Sequence, residues 1–136
     1  MKRIKLMILA CTTALIGLTA TAQEIPGSED QKISKTSNVE MYYFHFTRRC
    51  ATCQAVESVS KESVEELYGD KVKFWVFNLD EEEGEIKGKE IGVSGQSLLI
   101  VSGDTKIDIT NEGFMNARNN PEKLKSLIKE KIDPLL

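Results

Sequence analysis

The residues best suited to chemistry are two cysteines, Cys50 and Cys53, separated by Ala51 and Thr52. Thiols at this spacing can close a small disulfide ring and reopen it. The nucleophile in such an exchange is the thiolate, so the question is what holds one sulfur ionised. Arg48 and Arg49 stand directly before Cys50, and their charges favour its thiolate. His45, the only histidine, lies five residues before Cys50. It can tune the same thiolate, or join the two sulfurs in a three-coordinate site for a soft ion such as Cu(I) or a trivalent arsenical. The plainer role for His45 is a packing residue with a satisfied ring. No fourth ligand for structural zinc accompanies the three.

As a staple the pair is poorly placed. A bridge across two intervening residues removes little chain entropy, because that gain grows with the length of the closed loop. The third cysteine, Cys11, sits in an apolar stretch near the start of the chain. The spacing therefore favours reactivity over stability as the purpose of Cys50 and Cys53.

The elements that must position this pair follow from hydrophobic pattern. Residues 39 to 46 (VEMYYFHF) are rich in β-formers and apolar on both faces after Glu40, which predicts an interior strand. Residues 51 to 68 carry Ala55, Val56, Val59, Ser63, Val64, Leu67 and Tyr68 on one stripe and charge outside it, which predicts a helix closed by Gly69. Cys50 then lies at that helix's N-terminus, where free N–H groups and the dipole favour a thiolate. Cys53 faces the same side and is expected to be more buried, as a resolving thiol should be.

Beyond the helix, residues 72 to 79 (VKFWVFNL) predict a second strand, with Phe74, Trp75 and Phe77 as core. Asp80 is a candidate cap for a helix opening on Glu81, Glu82 and Glu83 and interrupted by Gly84 and Gly88. A third strand is expected over 97 to 101. A turn at Gly103-Asp104 leads into a fourth over 106 to 110. Asn120 and Pro121 open a last helix, with Leu124, Leu127, Ile128 and Ile132 at helical spacing until Pro134. The order βαβαββα predicts an α/β fold: a mixed four-stranded sheet with helices on both faces.

The chain starts with Lys2, Arg3 and Lys5, continues apolar through Leu18 and reaches the small-x-small site Ala20-Thr21-Ala22. Residues 1–22 are thus expected to be a cleaved signal peptide, too short an apolar run to span a bilayer. Residues 23–38, polar and carrying Pro26-Gly27, are expected to be a flexible leader, and 39–136 one domain. With Lys2, Arg3 and Lys5 removed, 15 of the 18 basic side chains face 21 acidic ones, a formal charge of −6. That balance disfavours nucleic acid as a partner.

The segment Phe44 to Cys53 (FHFTRRCATC) resembles the hydrophobic strand and CxxC of the thioredoxin superfamily. Ile91 to Val101 (IGVSGQSLLIV) resembles that family's glycine, small loop, cis-proline and apolar strand. The resemblance covers 39–136 and implies a thioredoxin-like fold. The string Tyr42 to Cys53 also resembles small exported thioredoxin-like proteins labelled ArsF-type nitrophenyl-compound nitroreductase subunits. No flavin or nicotinamide motif is visible, so nitroreduction is not expected of this chain alone. Three positions depart from the superfamily pattern. Gln96 stands at the cis-proline position, Phe44 where the first strand carries a buried acid, and Arg49 where tryptophan precedes the first cysteine.

The N-terminal pattern, the placement of the two cysteines and the resemblance together imply an exported thiol–disulfide oxidoreductase in a periplasmic or other extracytoplasmic compartment. Cys50 is its nucleophile and Cys53 its resolving thiol, with Arg48, Arg49 and His45 tuning the thiolate and Gln96 and Ser97 lining the substrate groove. No cofactor and no resident metal is expected. The expected partners are a protein substrate and a protein that resets the disulfide, with the chain itself a monomer without a membrane span. Two rivals come from other classes: a binding module for a thiophilic metal or metalloid, and a redox-inactive adaptor.

Overall fold

The computed structural model describes residues 38–136; the expected signal peptide and leader, apart from the exposed Asn38, lie outside the described residues. The centre of the sheet is β1 (Val39–His45). It pairs in parallel with β2 (Val72–Asn78) from Val39↔Val72 to His45↔Asn78, and antiparallel with β3 (Ser97–Ser102). β4 (Thr105–Asp108) closes a hairpin on β3, so the strand order is β2-β1-β3-β4. The expected mixed four-stranded sheet is thus present.

Alternation along β1 builds two cores, because successive side chains leave a strand on opposite faces. Val39, Met41 and Tyr43 join Leu98 and Ile100 on one face. They pack against α1 (Ala51–Tyr68), a short α3 (Thr110–Asn116) and α4 (Pro121–Ile132). Leu124, Ile128 and Ile132 of α4 are fully buried there, each contributing about 1.5–3 kcal/mol of transfer free energy. On the other face Tyr42, Phe44 and Leu99 lie with Phe77, Leu79 and Ile91 beneath α2 (Glu82–Ile91).

Four details differ from the sequence-based expectation. α3 is additional: Gly113 allows it to lie against the sheet, since a Cβ there would come within 2.9 Å of a Leu98 methyl. Gly84 and Gly88 do not interrupt α2; they are its buried contact line. A Cβ on Gly84 would land on the Asn78 carbonyl, and one on Gly88 would come within 2.9 Å of Leu79. Asp80 does not cap α2; its carboxylate accepts from the Thr47 amide at 2.8 Å, and Glu81 occupies the cap position with its carboxylate turned to the Asn78 side chain instead of the helix amides. Finally, Phe74 and Phe77 are half-buried but Trp75 is exposed, because β2 is an edge strand and α2 stops short of its rim. No described helix is long and apolar enough to cross a membrane.

Candidate active site

β1 delivers the chain to the site, residues 46–49 turn it, and α1 begins immediately after Cys50. The turn is tied at several points. The Leu79 amide donates to the His45 carbonyl at 2.7 Å, the Asn78 side chain donates to Thr47 Oγ1 at 3.1 Å, and Asp80 holds the Thr47 amide. Hydrogen bonding from Thr47, its amide first and then its side chain, holds the Asp80 carboxyl below its usual range, with the nearby His45 adding to the shift.

Cys50 is the N-cap of α1. Its backbone is extended (φ −87°, ψ 166°), and its sulfur accepts the Cys53 amide at 3.2 Å. A cap side chain normally supplies oxygen to the orphan N–H groups of the first turn; here sulfur takes that place. Hydrogen bonding holds the Cys50 thiol below its ordinary value, chiefly from the Cys53 thiol and the Cys53 amide, then from the Thr52 and Cys50 amides. The sign is plain: these donors stabilise the thiolate more than the thiol. Cys50 is exposed, whereas Cys53, one turn on, is only 4% exposed; both are free thiols.

Around Cys53 the structure gathers residues from three elements. The buried Tyr43 of β1 donates its hydroxyl to the Cys53 carbonyl at 2.9 Å. Burial and the neighbouring Cys53 push that phenol up to about 12, against the opposing charge of Arg49. Gln96, in the turn before β3, places its side-chain amide 3.4 Å from Cys53 Sγ. An amide carries a donor and an acceptor, so this contact can serve Cys53 both as thiolate and as thiol. Gln96 is therefore brought to the dithiol. The Ser97 hydroxyl turns away to the Gly95 carbonyl at 2.9 Å, and the residue is buried.

The two arginines diverge. Arg48 is exposed and makes no ion pair among the described residues. Arg49 pairs with Glu57 of α1 and lies over the Tyr43 ring, 5.9 Å from its centroid. Neither is among the causes that lower Cys50, nor is His45, whose ring nitrogen contacts the Phe46 carbonyl. No three His, Cys, Asp or Glu side chains among the described residues cluster as a metal site, so His45 does not assemble with the two sulfurs.

Sequence reasoning missed Tyr43, Glu57 and the bond between Asp80 and Thr47. Glu57 alone had a legible signal: it stands four residues after Cys53, one helical turn on. Phe44, at the position where the resemblance puts a buried acid, faces α2 in the second core. Tyr43 is the strand residue that reaches Cys53.

Known structures give the fold a counterpart. Thioredoxin O2 from Arabidopsis thaliana in its oxidised state is similar over 69% of this chain and 75% of its own, with 21% identity and a TM-score of 0.51. Thioredoxin f2 from Chlamydomonas reinhardtii matches 70% of this chain and 80% of its own, with 18% identity and a TM-score of 0.48. Neither bears the nitroreductase-subunit label. No family model and no curated protein matches the chain. The likeness to thioredoxin O2 establishes the fold as thioredoxin-like.

Proposed function

We propose that this thioredoxin-like chain is an exported thiol–disulfide oxidoreductase that exchanges two electrons with partner proteins. One observation carries the reading. An exposed, thiolate-favouring Cys50 caps an 18-residue helix, and a buried second thiol sits one turn behind it. In the reducing direction, Cys50 thiolate attacks one sulfur of a partner disulfide and the partner's other sulfur leaves as thiolate. Cys53, deprotonated, then attacks Cys50 Sγ. The partner departs with two thiols, and the Cys50–Cys53 disulfide holds the oxidation equivalent. Run backwards, the same steps oxidise a partner. Gln96 is positioned to meet the changing charge on Cys53.

Export is supported by the basic start, the apolar run and Ala20-Thr21-Ala22, and a periplasmic or extracytoplasmic location follows from it. N-terminal sequencing of protein recovered outside the cytoplasm should begin at Gln23; an intact Met1 there contradicts export by cleavage.

The trapping experiment tests the exchange. Cys53→Ser removes the resolving thiol, so Cys50 should accumulate as mixed disulfides with partner proteins, reversed by dithiothreitol and absent in Cys50→Ser. A Cys53→Ser protein that stays free of adducts in cells contradicts the reading.

A further inference from the structure

Among the described residues β2 is an edge strand left unusually open, and nothing pairs with its outer side. Native edges are commonly blunted by charge, proline, bulges or brevity. The opposite edge, β4, follows that rule, with four residues of which two are charged. β2 runs seven residues (VKFWVFN) in unbroken register with β1, with Lys73 as its only charge and no proline. Trp75 and Val76 are 41% and 38% exposed. The Leu79 amide points to His45 of β1, so by alternation Val72, Phe74 and Val76 turn their amides and carbonyls outward.

A hollow flanks this edge on each face. On the α2 face a cavity of about 600 Å³ has an aromatic floor of Tyr42, Trp75 and Phe77. Its carboxylates are Glu40, Glu82 and Glu83. Glu40 is held fixed, accepting from Trp75 Nε1 at 3.0 Å and from the Tyr42 hydroxyl at 2.7 Å. Among the described residues two cations reach this floor: Lys87, paired with Glu90 at 3.0 Å, and Lys73, 5.9 Å from the Trp75 ring centre; Glu82 and Glu83 have no ion-pair partner. On the α1 face a second hollow of about 340 Å³ lies over Val64, Val72 and Phe74, and its charges balance: Lys61 and Lys73 against Glu65 and Asp70.

We propose that the outer edge of β2 docks an extended segment of a partner protein as a fifth strand. Main-chain bonds to Phe74 and Val76 supply affinity, and the two hollows read alternate side chains. The charge pattern defines the segment. Side chains on the α2 face are Lys or Arg, with their stems on the aromatic floor and their heads at Glu40, Glu82 and Glu83. Side chains on the α1 face are apolar. Asn78, at the end of β2, bonds Thr47 beside the dithiol, so a docked strand extends toward Cys50. The docking itself requires neither cysteine and stands apart from the redox reading.

The test uses full-length protein carrying Cys50→Ser and Cys53→Ser, which removes thiol capture. The probe is a fluorescein-labelled seven-residue peptide alternating Lys and Val, followed by anisotropy and by the fluorescence of Trp75, the sole tryptophan. The expected result is saturable binding that shifts Trp75 emission to the blue and slows amide exchange in β2. Val76→Pro removes an outward N–H without touching the β1 ladder and should weaken binding by about tenfold or more. Glu82→Lys with Glu83→Lys, on exposed helix positions, should do the same while leaving the fold intact. A peptide alternating Glu and Val should not bind. The proposal is overturned if the two peptides bind equally, or if Val76→Pro folds normally and binds the Lys-Val peptide as before. Sedimentation showing a peptide-free dimer that buries Trp75 also overturns it, since the occupant is then a second copy.

Discussion

On one face of β1, Val39, Met41 and Tyr43 lie under α1, α3 and α4; on the other, Tyr42 and Phe44 lie under α2 alone. Both sets of side chains are almost completely buried, yet the faces end differently. The three-helix face keeps the smaller hollow at the β2 rim, about 340 Å³ against about 600 Å³, and includes α1, the helix whose first turn carries Cys53, with Tyr43 bonded to the Cys53 carbonyl. The single-helix face stops at Phe77 and leaves Trp75 in solvent. One sheet therefore provides a rigid support for a reactive pair and, a strand away, an open surface that can meet another chain.

Substitutions on the two faces should differ accordingly in their cost. The largest effect is expected from Ile128→Ala, which opens a cavity beneath the three-helix face and should cost about 2–5 kcal/mol in denaturant unfolding. A loss below about 1 kcal/mol would remove that face as the main core. Gly84→Ala follows, because its methyl meets the Asn78 backbone rather than a flexible side chain; about 1–3 kcal/mol is expected. A neutral result there would mean that α2 rides loosely on the sheet.

Trp75→Ala should lower stability by about 1 kcal/mol or less, far below the ~3–5 kcal/mol of a buried tryptophan. A core-sized loss would make the single-helix face as closed as the other. The smallest expected effect is a pH signature at Asp80. Its folded pKa is depressed, so its bond to Thr47 stabilises the protein above the ordinary carboxylate range and is lost as pH falls through the folded value. The stability difference between wild type and Asp80→Asn should shrink at acid pH. A difference that grows on acidification contradicts that sign.

Hydrophobic pattern made much of this legible. The continuous apolar run of β1, the stripe of α1 and the placement of Cys50 at their junction are local properties, and period and composition report them directly. What escaped was long-range. Nothing in VKFWVFN says whether a strand has one neighbour or two, so Trp75 read as core although β2 is an edge. Asp80 looks like a cap by sequence because its actual partner, Thr47, is 33 residues away. Gly84 and Gly88 read as interruptions for the same reason: only the approach of Asn78 and Leu79 explains why a side chain is excluded. At the site, Cys50 and Cys53 were evident from spacing. The contact from Gln96 to the buried sulfur and the pairing of Arg49 with Glu57 required the fold.

On the proposed reading, Cys50 and Cys53 work as one reversible dithiol. Equilibrating the protein across a series of glutathione redox buffers, with acid quench and mass analysis, tests it most directly. The expected result is a single two-electron transition in which the intramolecular disulfide replaces both thiols together. Thiols that remain free across the series, or that take up glutathione separately without forming the Cys50–Cys53 bond, would contradict it.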